Sequence, residues 1–259
     1  MSAAEARISA LRGTGAVYRR ELAAALEAPA SWVVLASFVA ALHSLYFFVG
    51  FPVGEQQFPG FWEARVAGLQ TVFAWLPALL AIVAPALSMG AWAEERRAGT
   101  EELLLAWPLP TGATVLGKFL ATWTQLALVL AIAILPLALA VSGVGPLDLG
   151  VACAGLAGGV LLGGACVAVG QLVSACTRDQ LVAFVLGALV LGALWLAGFA
   201  LRGADPSVAT WIAVVSPTAH FLNSAAVGLL DLADVLYFVA VAAAALFATH
   251  TAVEARRER

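Results

Sequence analysis

Long uncharged stretches alternate with short charged ones along the chain, and this alternation predicts the secondary structure. Six uncharged stretches are each about 20 residues long or longer, the length at which a helix crosses the hydrocarbon core of a membrane. The predicted spans cover residues 30–50, 66–93, 119–141, 149–175, 181–201 and 235–253. We therefore expect an all-α integral membrane protein with six transmembrane helices.

The first 29 residues follow a different pattern. Apolar residues recur every three or four positions, with Arg12, Arg19 and Arg20 off that stripe, as in an amphipathic helix that lies in the membrane interface. A solvated helix packed on a soluble partner is the alternative. Because arginines precede every apolar run, the segment does not resemble a cleaved signal peptide. We predict a cytoplasmic amphipathic helix, residues 1–29, ahead of a six-span domain, residues 30–259.

The distribution of basic residues predicts the orientation. With six spans and both termini in the cytoplasm, only Arg65 and Arg202 of the 13 basic residues lie outside, as the positive-inside rule favours. Residues 206–230 are uncharged but rich in Ser, Thr, Asn and Pro, which is costly for a helix facing lipid. A seventh span there would move the basic C-terminus outside, so we interpret this segment as an external helix or a re-entrant element before span six.

Composition supports a membrane protein and excludes several other classes. The chain is 63% hydrophobic and 11% charged, against about 45–50% and about 25% in soluble proteins. Its net charge of −3 gives no reason to expect a nucleic-acid partner. The three cysteines lack a CxxC spacing, and the sequence has no HExxH or GxSxG motif. We expect no catalytic residue, no bound cofactor and no metal site in this chain.

One motif is misleading. The run GATVLGK, Gly112 to Lys118, matches the GxxxxGK of a phosphate-binding loop, but Phe119 occupies the position of the Ser or Thr that binds magnesium. It also follows LAWPLP, whose prolines disfavour the strand that precedes such a loop. We do not predict a nucleotide site there.

The most distinctive region lies between the second and third predicted spans. Residues 93–118, which we call the platform, contain seven charged residues between two uncharged helices. Gly99 predicts the end of one helix, and Thr100 predicts a cap for a second one. The sequence therefore predicts a short amphipathic helix over residues 100–106, stopped by Pro108.

The residues of the platform carry a family resemblance. EERR, GTEELL, Pro108 and the Gly117–Lys118 pair resemble the segment between spans two and three of ABC-2 type transporter permeases. The resemblance extends to RELAAALEAPASWV upstream, and to SACTRDQLVAF and SPTAHFLNSAAVGLLDLADVLYF downstream. The chain is most similar to the gliding-motility-type branch, with the nitrous-oxide-reductase maturation permeases as neighbours.

The resemblance implies a function and a set of partners. Such a permease is one half of a dimeric pore, formed with a second copy or a related permease, in the bacterial inner membrane. It has no nucleotide site of its own. Two copies of a separate ATPase, which bind ATP and magnesium, dock on its cytoplasmic face at residues 94–110. We expect an exporter of this kind, which is also in contact with the lipid bilayer.

The residues that match this docking segment are the candidate coupling site. Their charges would complement the ATPase surface, while a solvated turn between two helices is the alternative from composition alone. The candidates, with two from the later CTRDQ turn, are Glu94, Glu95, Arg96, Arg97, Gly99, Thr100, Glu101, Glu102, Leu104, Arg178 and Asp179.

Two other function classes remain open at this stage. One is a mechanical or scaffolding subunit that acts on an envelope partner through residues 206–230. The other is a solute carrier that works without ATP, although the predicted spans hold no charged residue of the kind that ion-coupled carriers use. His43 lies within the first span, and we interpret it as hydrogen-bonded between helices rather than as part of a proton path. Gly155, Gly159 and Gly163 predict a groove for close helix packing.

Overall fold

The computed structural model describes residues 3–51, 60–62, 68–105, 109–200 and 214–257. The described residues form helices and no β-strand. The helices are α1 (Ala3–Glu27), α2 (Pro29–Ser44, continued by a π-helical turn at Leu45–Val49), α3 (Gln70–Ser88), α4 (Gly90–Ala98), α5 (Glu101–Leu105), α6 (Thr111–Ser142), α7 (Leu149–Cys176), α8 (Gln180–Ala200), α9 (Pro217–Asn223) and α10 (Leu232–Arg257).

The six predicted spans are confirmed. Among the described residues, six helical segments are long and apolar enough to cross a membrane: Pro29–Val49, Gln70–Ala98, Thr111–Ser142, Leu149–Cys176, Gln180–Gly198 and Leu232–Arg257. The chain is therefore an all-α integral membrane protein. The third of these segments begins at Thr111, earlier than the predicted residue 119.

The centre of the bundle is α7, which packs against α3, α6, α8 and α10. Its glycines allow this close packing. A Cβ atom at Gly155 would lie 2.4 Å from the buried ring of Phe73, and one at Gly159 would lie 2.6 Å from Leu76. At Gly163 the nearest atom, from Leu126, is 2.9 Å away. These distances are shorter than van der Waals contact, so the predicted small-residue groove is confirmed.

The N-terminal helix α1 lies along the first turns of α6. Val17 is buried there, and a Cβ atom at Gly117 would lie 2.7 Å from it. The predicted apolar stripe is divided: Leu11 is 75% exposed, whereas the hydroxyl of Tyr18 donates to Thr124 of α6 over 3.5 Å. Part of the stripe therefore packs on α6 and part of it is exposed.

The segment before α10 is only partly described, since residues 206–213 lie outside the described residues. The described part contains α9 and a 3₁₀ turn at Ala225–Val227. Seven residues of helix extend about 10 Å, which is too short to cross a membrane. A Cβ atom at Gly158 of α7 would lie 2.3 Å from Ala225, so this element packs at the end of the bundle opposite the platform.

Candidate functional site

The platform turns a corner at Gly99. This residue has φ 70°, a left-handed conformation that favours glycine. The Gly99 amide donates to the Arg96 carbonyl over 3.3 Å, and the Thr100 amide donates to the Glu95 carbonyl over 2.9 Å, which ends α4. The predicted helix break and the short helix after it are confirmed, while Ala106 and Pro108 lie outside the described residues.

Thr100 also stabilises this corner through a side-chain bond to α4 that the sequence did not indicate. Its hydroxyl donates to the Glu95 carbonyl over 3.3 Å, so its side chain bonds back to α4. The Leu104 amide in turn donates to the Thr100 carbonyl over 3.1 Å. Thr100 therefore connects α4 and α5 through both its hydroxyl and its carbonyl.

The joint between α3 and α4 is held by α7. The fully buried hydroxyl of Ser174 donates to the Met89 carbonyl over 2.6 Å. The same oxygen accepts from the amides of Trp92 and Ala93, each over 3.1 Å. A side chain of α7 thus satisfies backbone groups of the adjoining helix, and this fixes the platform to the centre of the bundle.

The inner face of α5 is anchored by Leu104. This side chain is 9% exposed and belongs to a buried cluster with Trp92, Val115, Ala175 and Val253. The cluster joins α4, α5, α6, α7 and α10. Leu104 therefore holds the short helix against the bundle and does not form part of its outer surface.

A first network of ion pairs surrounds Lys118. Its ammonium group lies 2.8 Å from Oε1 of Glu95 and 3.1 Å from Oε1 of Glu21. Arg20 pairs with the same two carboxylates, 3.4 Å from Glu95. The Lys118 side chain is 3% exposed. The network joins α1, α4 and α6.

This network explains how α6 holds a charge near its start. The third span was predicted to begin at residue 119, after Lys118, because a charged residue is costly in a membrane helix, whereas the helix itself begins earlier, at Thr111. Two carboxylates at hydrogen-bonding distance neutralise the ammonium, so α6 accommodates it as a buried residue.

The same contacts shift the pKa values of the groups on α1. Burial alone raises the pKa of Glu21, but the charge of Lys118 and hydrogen bonds from Arg20 and Lys118 together hold that pKa below its ordinary value. Burial alone lowers the pKa of Arg20, but its contacts with Glu21 and Glu95 raise it above the ordinary value. Both groups are therefore charged at neutral pH.

A second network is centred on Glu101. Its carboxylate lies 2.7 Å from Nη1 of Arg256 and 3.4 Å from Nε of Arg96. Both guanidinium groups also donate to the Ala175 carbonyl, and Arg96 donates to the Thr177 carbonyl over 2.7 Å. The Glu101 side chain is 13% exposed. This network joins α4 and α5 to the ends of α7 and α10.

The candidate residues divide into those whose side chains face the bundle and those that are exposed. Leu103, which was not among the candidates, is 67% exposed beside them. Asp179 accepts from the amides of Leu181 and Val182 and caps α8. The inward-facing candidates are Glu95, Arg96, Glu101 and Leu104, and the exposed ones are Glu94, Arg97, Gly99, Thr100, Glu102 and Arg178.

Two further sequence interpretations have structural outcomes. The GATVLGK run forms the first turns of α6 from Thr111 onward, so its backbone is helical and does not form a phosphate-binding loop. Nδ1 of His43 lies 2.7 Å from the Val39 carbonyl. The hydrogen bond of His43 is thus made within its own helix, and the interhelical bond interpreted from the sequence is wrong.

The comparison with family models adds an independent finding. Residues 29–248, most of the chain, match a model described as "ABC-2 family transporter protein". The match begins at the start of α2 and ends within α10, so it includes the first five membrane-spanning segments, most of the sixth, and the platform. No curated protein matches the chain.

Proposed function

This chain belongs to the ABC-2 family of transporter proteins and is a membrane permease subunit, and from that premise we propose that it is half of an exporter driven by a separate ATPase. The observation that carries the proposal is a platform with an exposed outer surface and an inner face clamped to the bundle. A partner that binds the outer surface would move the membrane spans through the contacts of this inner face.

The outer surface combines charge with an exposed apolar side chain. Leu103 is 67% exposed on α5, and the exposed residues Glu102 and Arg97 lie near it in the chain. An apolar anchor surrounded by charges is typical of binding surfaces, in which the anchor contributes affinity and the charges contribute orientation and rate. The proposed partner is an ABC ATPase in two copies, which binds ATP and magnesium.

The inner face supplies a route for movement. Displacing α5 would pull on Arg256 through Glu101, and therefore on α10. It would also pull on the end of α7 through Arg96, which donates to the Ala175 and Thr177 carbonyls. Packed interfaces convert small shifts at a binding site into rigid-body movements of helices. This arrangement supports ATP-driven movement of the spans.

Orientation, location and assembly are part of the same proposal. The distribution of basic residues supports cytoplasmic termini and a cytoplasmic platform. The family resemblance supports the bacterial inner membrane, a dimer with a second copy or a related permease, and a place near the gliding-motility-type branch. We also propose the division into an interfacial helix, residues 1–29, and a six-span domain, residues 30–259.

A mechanical or scaffolding subunit is the second candidate function. At the end of the bundle opposite the platform, Leu229 and Leu232 are 65% and 69% exposed just after the turn at Gly228. Such exposed leucines could bind an envelope partner, which ATP hydrolysis would then drive through this chain. In this alternative the platform has the same role, but no solute crosses the membrane.

The experiment that tests the proposal is capture of an ATPase. The full chain is co-expressed with a candidate ABC ATPase from the same organism, solubilised in mild detergent and purified, and ATP hydrolysis is measured. We expect stoichiometric capture by the wild type, and at least a tenfold loss with Glu102→Lys or Leu103→Asp. Glu27→Lys, an exposed change of the same kind on α1, is the matched control.

The choice of Glu102 keeps the result interpretable. Glu101 faces inward between two arginines, so its reversal would disturb the fold as well as a docking surface. Undiminished capture by both Glu102→Lys and Leu103→Asp would refute docking on α5. Capture of the ATPase without export of any cargo by the assembled complex would favour the mechanical alternative.

A further inference from the structure

A polar cavity lies beside the first ion network, between α1, α2, α4, α6 and the last turn of α3. Its volume is about 220 Å³, which is room for about seven water molecules or for one small charged group. The polar residues that line it include Glu21, Glu94, Lys118, Thr122 and Gln125. The ATPase-docking surface on α5 does not contribute to it.

Two of these lining residues have unused hydrogen-bonding capacity. Gln125 is 3% exposed, and its Nε2 has no hydrogen-bond acceptor among the described residues. A buried donor without an acceptor costs about 1–3 kcal/mol, so an occupant that accepts a hydrogen bond from this Nε2 is favoured. Glu94 makes no ion pair within the described part of the chain, although it lies on the cavity wall.

The charges in the cavity favour a cation. Lys118 is already neutralised by Glu21 and Glu95, and Arg20 balances the second of these carboxylates. The Glu94 carboxylate is then the uncompensated charge on the wall. A ligand with a positive group therefore gains an ion pair at Glu94, and its oxygen atoms gain a donor at Gln125.

The position of the cavity fits the headgroup layer of a bilayer. One wall runs from Leu87 to Glu94, where the second span changes from apolar to charged residues. Another runs from Lys118 to Gln125, where α6 makes the reverse change. Apolar side chains continue beyond the cavity, so a molecule with a polar head and hydrocarbon tails would match both zones.

We propose that this cavity binds a primary ammonium group with a neighbouring phosphate, the chemistry of ethanolamine phosphate. The ammonium donates to Glu94, and Nε2 of Gln125 donates to a phosphate oxygen. A trimethylated ammonium carries the same charge but has no N–H to donate. The group could come from a lipid headgroup or from the free compound.

The test is native mass spectrometry of the solubilised full chain with phosphatidylethanolamine, phosphatidylcholine or phosphatidylglycerol. We expect the wild type to retain phosphatidylethanolamine at least fivefold better than the other two. Glu94→Gln and Gln125→Leu should each lose that preference, whereas Glu102→Gln, an equivalent change on exposed α5, should keep it. Equal retention of the three lipids by the wild type would overturn the proposal, as would full preference in both cavity variants.

A competition arm identifies the source of the group. If free ethanolamine phosphate displaces the lipid at equal concentration, the group comes from a soluble ligand. If it does not displace the lipid, the group comes from the lipid headgroup. Both conclusions hold only where the wild type prefers phosphatidylethanolamine. The measurement needs no ATPase, so failure of the cavity proposal and failure of the proposed export function are distinguishable.

Discussion

The network centred on Glu101 gives the sharpest prediction, because the negative charge of Glu101 lies there between two positive charges. Arg96 and Arg256 both contact Glu101, and both donate to the same Ala175 carbonyl. Glu101→Gln would leave two guanidinium groups facing each other around one oxygen. Arg256→Gln would leave the Arg96–Glu101 pair intact. The loss of the carboxylate should therefore destabilise the protein more than the loss of Arg256.

The magnitudes follow from burial. Removing one member of a buried ion pair costs about 3–5 kcal/mol, but the Glu101 and Arg256 side chains retain 13% and 22% exposure. We therefore expect about 2–3 kcal/mol for Glu101→Gln. For Arg256→Gln we expect about 1–2 kcal/mol, less than the about 1.5–3 kcal/mol of a hydrogen bond to a charged group, because the Arg256 side chain retains 22% exposure. The double variant should lose about 2–3 kcal/mol, less than the sum, because the repulsion is relieved.

The assay is reversible unfolding of the purified chain in mixed micelles with increasing SDS, followed by tryptophan fluorescence. Arg97→Gln, an exposed change next to Arg96, is the control and should cost less than about 0.5 kcal/mol. The reasoning is refuted if Glu101→Gln costs no more than Arg256→Gln, or if the two losses add in the double variant.

Two further predictions concern packing and pH. Gly155→Ala should destabilise the bundle by about 1–3 kcal/mol in the same assay, because its Cβ would lie 2.4 Å from the Phe73 ring. Gly192→Ala is the control, since Gly192 has open space around it. Equal losses of stability in the two variants would contradict the packing argument. The lowered pKa of Glu21 means that its stabilising contribution is present above its ordinary pKa of 4.5 and is lost as pH falls through the folded-state value. Glu21→Gln should therefore lose less stability than the wild type as pH falls from 7 to below the folded-state pKa of Glu21, and identical losses would count against a charged Glu21.

The sequence predicted those features that depend on local pattern. Uncharged length predicted the six spans, and Gly99 predicted the corner because glycine readily takes its left-handed conformation. The direction of neighbouring side chains was beyond such reasoning. Glu101 and Glu102 are alike in sequence, and only the fold brings Arg256, 155 residues away, against one of them. The burial of Lys118 could not be predicted for the same reason, since its two carboxylates come from α1 and α4.

The Ser174 hydroxyl has a consequence for how force passes through the protein. Because it bonds to Met89 at the joint between α3 and α4 and to two amides of α4, a bend at the joint would break bonds to α7 as well as strain the backbone of the joint. The glycine-lined contacts of α7 leave little space for it to slide along α3. A tilt of α4 must therefore be accompanied by a tilt of α7, so the joint sets the direction in which movement entering at the platform reaches the centre of the bundle.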